Sequence, residues 1–216
     1  MAALKSLCKN VGSIIVIDEV HKDKQASRRR RAWGKWNGGG VALKKWFKSE
    51  VRYTMITGFN IDGFVRSTVR IYLRDEISDE GAAGTVDGEK FVDWVKNRLC
   101  PVLGDYSKGE ANSLVIMDNA STHMSHEVED LIMAEGAYLL YTAPYSPDLS
   151  PIEYGFHIYK SALKRFPKDF EKDDWFRLHL KAMETVSSDT AIKEFRKCNI
   201  PFSHKIQLNH NGIECC

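Results

Sequence analysis

Two short apolar runs in this chain lead directly into an aspartate. GSIIVID (residues 12–18) closes on Asp18, and SLVIM (residues 113–117) is followed by Asp118. A carboxylate straight after strand-forming residues either caps a turn or faces a cleft, and Asp118-Asn119 is itself a turn signal. A third acid, Glu153, follows Ser150-Pro151-Ile152. That order matches a capping box with proline at the first helical position, so Glu153 either closes a helix N-terminus or belongs to a site. If the three converge, their type defines the chemistry. Carboxylates without His or Cys ligands suit Mg²⁺ or Mn²⁺ rather than Zn²⁺. Two such ions, about 3.5–4 Å apart, activate a nucleophile and stabilise a leaving oxygen in line across phosphorus.

The elements around these acids follow from period and punctuation. Residues 12–18 are β-branched and continuous, as in a strand buried on both faces. Residues 53–60 and 64–73 form two more strands around the Ile61-Asp62-Gly63 hairpin signal. Residues 86–98 carry a helical stripe (Val86, Phe91, Trp94, Val95, continued at Leu99) with Pro101 beyond its end. A strand over 113–117, a helix over 125–134 stopped by Gly136, and a strand over 137–141 come next. Residues 144–151 are a proline-fixed connection. Helices are expected over 151–166, 174–186 and 190–197, then an irregular tail. The order predicts one α/β domain over residues 1–216, with its core at about 12–198. A meander of three strands and two helical crossovers makes a mixed five-stranded sheet flanked by helices. If the strands ending at Asp18 and Asp118 are parallel neighbours, both acids emerge at the carboxyl edge where ligand sites of open α/β sheets form.

The helix after Pro151 adds a second pattern. Ile152, Phe156, Tyr159 and Leu163 share an apolar face, while Glu153, His157, Lys160 and Lys164 share the polar face beside it. Lysines running away from a metal-binding glutamate would track a phosphate backbone, or else form a solvated helix face.

Charge and composition narrow the class. Net charge is only +2, but from Lys22 to Lys35 seven Lys/Arg residues, including Arg28, Arg29, Arg30 and Arg31, face one acid. Such a patch suits a polyanion, a nuclear-import signal or plain solvation. The apolar runs are far too short to cross a bilayer, and no signal peptide precedes them, so neither a membrane protein nor a secreted one is expected. Five scattered cysteines without zinc spacing read as free thiols.

DNASTH (Asp118–His123) and YSPDLSPIE (Tyr145–Glu153), with 34 residues between Asp118 and Glu153, closely resemble blocks of the mariner-like transposases of the DDE superfamily. The segment IDEVHKDKQASRRRRAWGKWN (Ile17–Asn37) resembles that family's first block, and EFRKCNI (Glu194–Ile200) is similar to its closing segment. The resemblance implies a ribonuclease H-like fold. It also implies Asp18, Asp118 and Glu153 as the catalytic, metal-holding acids with two Mg²⁺ or Mn²⁺ ions, and DNA as substrate for cleavage and strand transfer. Arg28–Arg31, Lys160 and Lys164 are then candidates for DNA contact, with Asn119, His123 and His157 in support. A homodimer on DNA and a nuclear location in a eukaryote, or a cytoplasmic one otherwise, are expected on the same ground. The family carries paired helix-turn-helix modules before its catalytic domain. Here the first strand starts about a dozen residues after Met1, so the expectation is a core without them. That leaves a DNA-binding or interaction protein that no longer cuts, or a truncated relic, as alternative readings.

Overall fold

A computed structural model describes residues 8, 10–22, 53–73, 86–119, 125–142, 147–165, 175–200, 206–209 and 212–215. Its main sheet contains β1 (Ile14–Lys22), β2 (Tyr53–Asn60), β3 (Gly63–Leu73), β4 (Leu114–Met117) and β5 (Tyr138–Tyr141), in the spatial order β3-β2-β1-β4-β5. The first three strands pair antiparallel, while β4 runs parallel to both β1 and β5. This is the expected mixed sheet. The β2–β3 turn needs its glycine: Gly63 has φ +107°, and a Cβ there would meet the Val186 carbonyl oxygen at 2.8 Å.

Strand alternation divides the core in two. Ile14, Val16 and Val20 of β1, with Leu114 and Ile116 of β4, pack under α3 (Pro151–Leu163), α4 (Trp175–Glu184) and α5 (Ser188–Lys197). Ile15, Ile17, Val115 and Met117 point to the other side, against α1 (Gly88–Trp94) and α2 (His126–Ala134). A strand buried on both faces must be apolar throughout, which is why β1 and β4 read as continuous runs.

Several boundaries differ from the sequence expectation, each for a local reason. Asp18 does not end β1. The strand continues to Lys22 because β2 supplies a partner as far as Lys22↔Tyr53. α1 starts at Gly88, with the Asp87 side chain accepting from Lys90 N at 2.8 Å, and it loosens into a π-turn (Val95–Leu99) and a 3-10 turn (Cys100–Val102). The tail expected as irregular holds a two-stranded antiparallel hairpin, β6 (Ile206–Asn209) and β7 (Gly212–Cys215). The Asn211-Gly212 pair was its available signal.

Candidate functional site

Asp18 and Asp118 come together through strand register. Ile14 pairs with Leu114, Ile15 with Val115 and Val16 with Ile116. Two steps further, the same offset sets Asp18 level with Asp118. Alternation puts both on the face of Val16 and Ile116, the face that α3 covers. β1 continues past this level but β4 stops at Met117. The sheet therefore opens beside Asp118, which is exposed, while Asp18 is half-buried and its Oδ1 accepts from Glu19 N at 2.7 Å. Asp18 pairs across the strands with Thr57 and Glu19 with Ile56, and the β2–β3 pairing is irregular there, between Ile56 and Gly58. Thr68 fills that irregularity, accepting from Gly58 N at 2.8 Å. Irregular pairing of this kind often stands beside active sites, where it re-aims side chains.

Glu153 reaches the same edge by the crossover. β5 runs parallel to β4, so the chain leaves it at the carboxyl edge and enters α3 from there. Ile152 and Phe156 are buried in the cluster that contains Val16 and Ile116, so the first turn of α3 packs on the sheet face that Asp18 and Asp118 share. Glu153 itself is exposed; its N–H donates to the Ser150 carbonyl at 3.2 Å, and its side chain has no hydrogen bond or ion pair among the described residues. The capping box is not made from its serine side: Ser150 is the N-cap but forms no side-chain cap bond. Strand register thus sets two of the acids level at one edge, and Glu153 stands on the helix that packs on the same face. Their side chains are not gathered as they stand, since among the described residues no three His, Cys, Asp or Glu groups are close enough to hold an ion.

The supporting candidates divide. His157, Lys160 and Lys164 are exposed along α3, and neither lysine has an ion-pair partner among the described residues. Asn119 is exposed next to Asp118. Arg28, Arg29, Arg30, Arg31 and His123 lie outside the described residues. Thr142, which the sequence reading passed over, sits beside Asp118 at the end of β5 and donates its N–H to the Met117 carbonyl at 2.9 Å. A threonine closing an apolar strand was the available signal. Farther from the edge, Tyr141 accompanies β5. Burial and the Glu129 carboxylate, whose Oε1 accepts from its hydroxyl at 3.2 Å, push its pKa up to about 12.

Residues 73–174 match the family of DDE superfamily endonucleases. That segment contains Asp118 and Glu153 but not Asp18. Among solved structures, the Mos1 mariner paired-end complex with Mn aligns with TM-score 0.62 and 13% identity, over 91% of this chain and 56% of that one. The Mos1 transposase paired-end complex with left transposon end aligns with TM-score 0.54 and 17% identity, over 94% and 60%. A pre-cleavage Mos1 transpososome gives 0.54 and 16%, over 94% and 61%. At these identities the likeness is one of fold, and the chain spans less than two thirds of each of these proteins. No curated protein sequence matches it.

Proposed function

We propose that this chain is a DDE-type endonuclease on a fold like that of the mariner transposases, and that it cuts and joins DNA strands using Asp18, Asp118 and Glu153. The observation that carries the reading is the shared register of Asp18 and Asp118 on one sheet face, under a helix whose first turn presents Glu153. The donor set is all oxygen, which fits Mg²⁺ or Mn²⁺, and one of the structures of like fold is a complex with Mn. Asp18, Asp118 and Glu153 would hold two such ions, which when bound supply nucleophile activation and stabilisation of the leaving oxygen.

The chain's own residues do the rest. Asp18 is held by its bond from Glu19 N, so its carboxylate is preoriented at the level of Asp118. Glu153 stands in the first turn of α3, where the helix dipole favours an anion. Lys160 and Lys164 continue along the exposed face of α3 and give the flanking phosphates a cationic track. Such contacts position a duplex without reading its sequence. We further propose that the chain pairs as a dimer on DNA and, in a eukaryote, works in the nucleus.

A plasmid-nicking assay with Mg²⁺ or Mn²⁺ tests the reading. The wild-type chain is expected to nick, and Asp118→Asn to lose at least about a hundredfold of that rate, a loss typical of removing one electrostatic stabiliser. DNA retention with no metal-dependent nicking by the wild type would overturn it in favour of a binding protein that no longer cuts.

A further inference from the structure

The edge of the sheet formed by β3 carries a basic groove that the three acids do not use. It has a volume of about 580 Å³, and its walls include Arg66, Arg70 and Leu73 of β3, Arg98 of the turn after α1, and Phe176 and Leu180 of α4. It therefore wraps the edge from one helical layer to the other. We propose that this groove is a second DNA-backbone site, which holds duplex flanking the point of cutting. The proposal rests on the reading of the chain as a DNA-processing enzyme.

Three features point to phosphate. The cations are all guanidinium groups, whose planar forks match phosphate oxygens. Two of them are pre-aimed: Arg70 lies over the Tyr72 ring at 5.3 Å from its centroid, and Arg98 Nη1 donates to the Ser67 carbonyl at 3.5 Å. Neither has a carboxylate partner among the described residues. Arg66 does pair with Glu184 at 3.0 Å, but both side chains are more than half exposed, so a phosphate can compete for it. On the adjacent stripe of α4, Arg177 and Lys181 are exposed and add to the positive field. Leu73 and Phe176, 38% and 47% exposed, offer apolar surface for sugars between the phosphates.

Register links the groove to the acids. Arg70 pairs with Ile56, and Ile56 pairs with Glu19, the residue after Asp18. Along the strands the groove is thus level with the acids and two strands away, roughly 10 Å at the usual strand spacing; Arg70 stands on the opposite sheet face, that of Ile56 and Tyr72, and the α4 wall stands on the face of the acids. A duplex that leaves the acids across the β3 edge meets the groove well within one helical turn of about 34 Å. The competing occupant is an acidic peptide added to the edge strand. Arg98 already takes up the Ser67 carbonyl on that edge, which blunts strand addition.

The test measures binding of the full chain to a labelled duplex of about 25 base pairs in EDTA, by fluorescence anisotropy across a salt series. Arg70→Gln with Arg98→Gln is expected to raise Kd about tenfold or more and to lower the slope of log K against log salt by about 2, near 0.9 per lost phosphate contact. The charge-keeping pair Arg70→Lys with Arg98→Lys is expected to restore the slope, which also controls for folding. Unchanged affinity and slope in the glutamine variant would overturn the proposal. So would loss of polyglutamate binding with DNA binding intact, which assigns the groove to an acidic protein. The nicking assay separates the two readings. A wild type that nicks while the glutamine variant binds normally sinks only the groove. A wild type that never nicks while the variant binds tenfold weaker sinks only the enzyme.

Discussion

At the residue scale, Glu153 and Ser150 can be told apart by substitution. Ser150 makes no side-chain cap bond, so Ser150→Ala is expected to change stability by no more than about 0.5 kcal/mol, against about 1 kcal/mol for a working cap. Glu153→Gln is expected to abolish metal-dependent nicking with an unchanged melting temperature, because the side chain is exposed and unpartnered among the described residues. A drop of several degrees would return Glu153 to a capping role. Cys198 reports on folding instead. Burial first, then the nearby Glu194 and Asp148 carboxylates, push its thiol up to about 12. With a folded value above the unfolded one, its contribution to stability is complete below the usual thiol range and is lost as pH rises through about 12. Iodoacetamide at pH 8 is expected to spare Cys198 in the native chain and to label it in guanidinium. Labelling of the native chain at the same rate would contradict that burial.

At the element scale, the placement of α3 decides whether Glu153 reaches the aspartates. Two features lock it. The Tyr159 hydroxyl hydrogen-bonds both His179 Nδ1 of α4 and the Tyr53 hydroxyl of β2, the latter at 3.0 Å, inside the core. Tyr159→Phe deletes the group that both partners reach and is expected to cost about 1–3 kcal/mol, measured by urea unfolding. Gly155 lets the helix lie close to the sheet: a Cβ there would stand 3.0 Å from Phe59 and 3.2 Å from Phe64. Phe59 cannot yield easily, since it packs between Phe64 and Phe195. Gly155→Val is therefore expected to destabilise by about 1–3 kcal/mol through overpacking and to slow nicking by lifting Glu153 away. Full activity in a destabilised Gly155→Val chain would show that the height of α3 does not matter. Neither lock was legible beforehand. Tyr159 read only as an apolar-face residue and Gly155 gave no signal, because Tyr53, Phe59 and Phe64 lie over 90 residues away in β2 and β3, and His179 lies on another helix.

For the whole molecule, the proposed metal site predicts that cation binding and folding are coupled. If Asp18, Asp118 and Glu153 hold the ions as proposed, an added cation stabilises the native chain by mass action. At a hundred times Kd this is about 2.7 kcal/mol, or on the order of 5 °C or more for a chain of this size. Mn²⁺ is expected to raise the melting temperature of the wild type by that amount and to leave the Asp18/Asp118/Glu153 triple alanine unmoved. An equal shift in both would place the ions elsewhere.

The sequence by itself determined most of the strands and helices of the core and the class of the sheet, a mixed one of five strands flanked by helices, and it nominated the three acids. Each of these is written in short-range terms: continuous β-branched runs, helical stripes, turn dipeptides and motif spacing. The three-acid claim thereby rests on more than spacing. β1 and β4 run parallel at an offset that sets Asp18 level with Asp118, and only pairing between strands about a hundred residues apart could decide that. The extension of β1 beyond Asp18 was likewise the gift of a partner strand, since a strand ends where its neighbours stop supplying hydrogen bonds rather than where its apolar run stops. The Arg66–Arg70–Arg98 groove belongs to the same class: its cations come from separate elements, and only the packing of α1 and α4 about the edge strand assembles them.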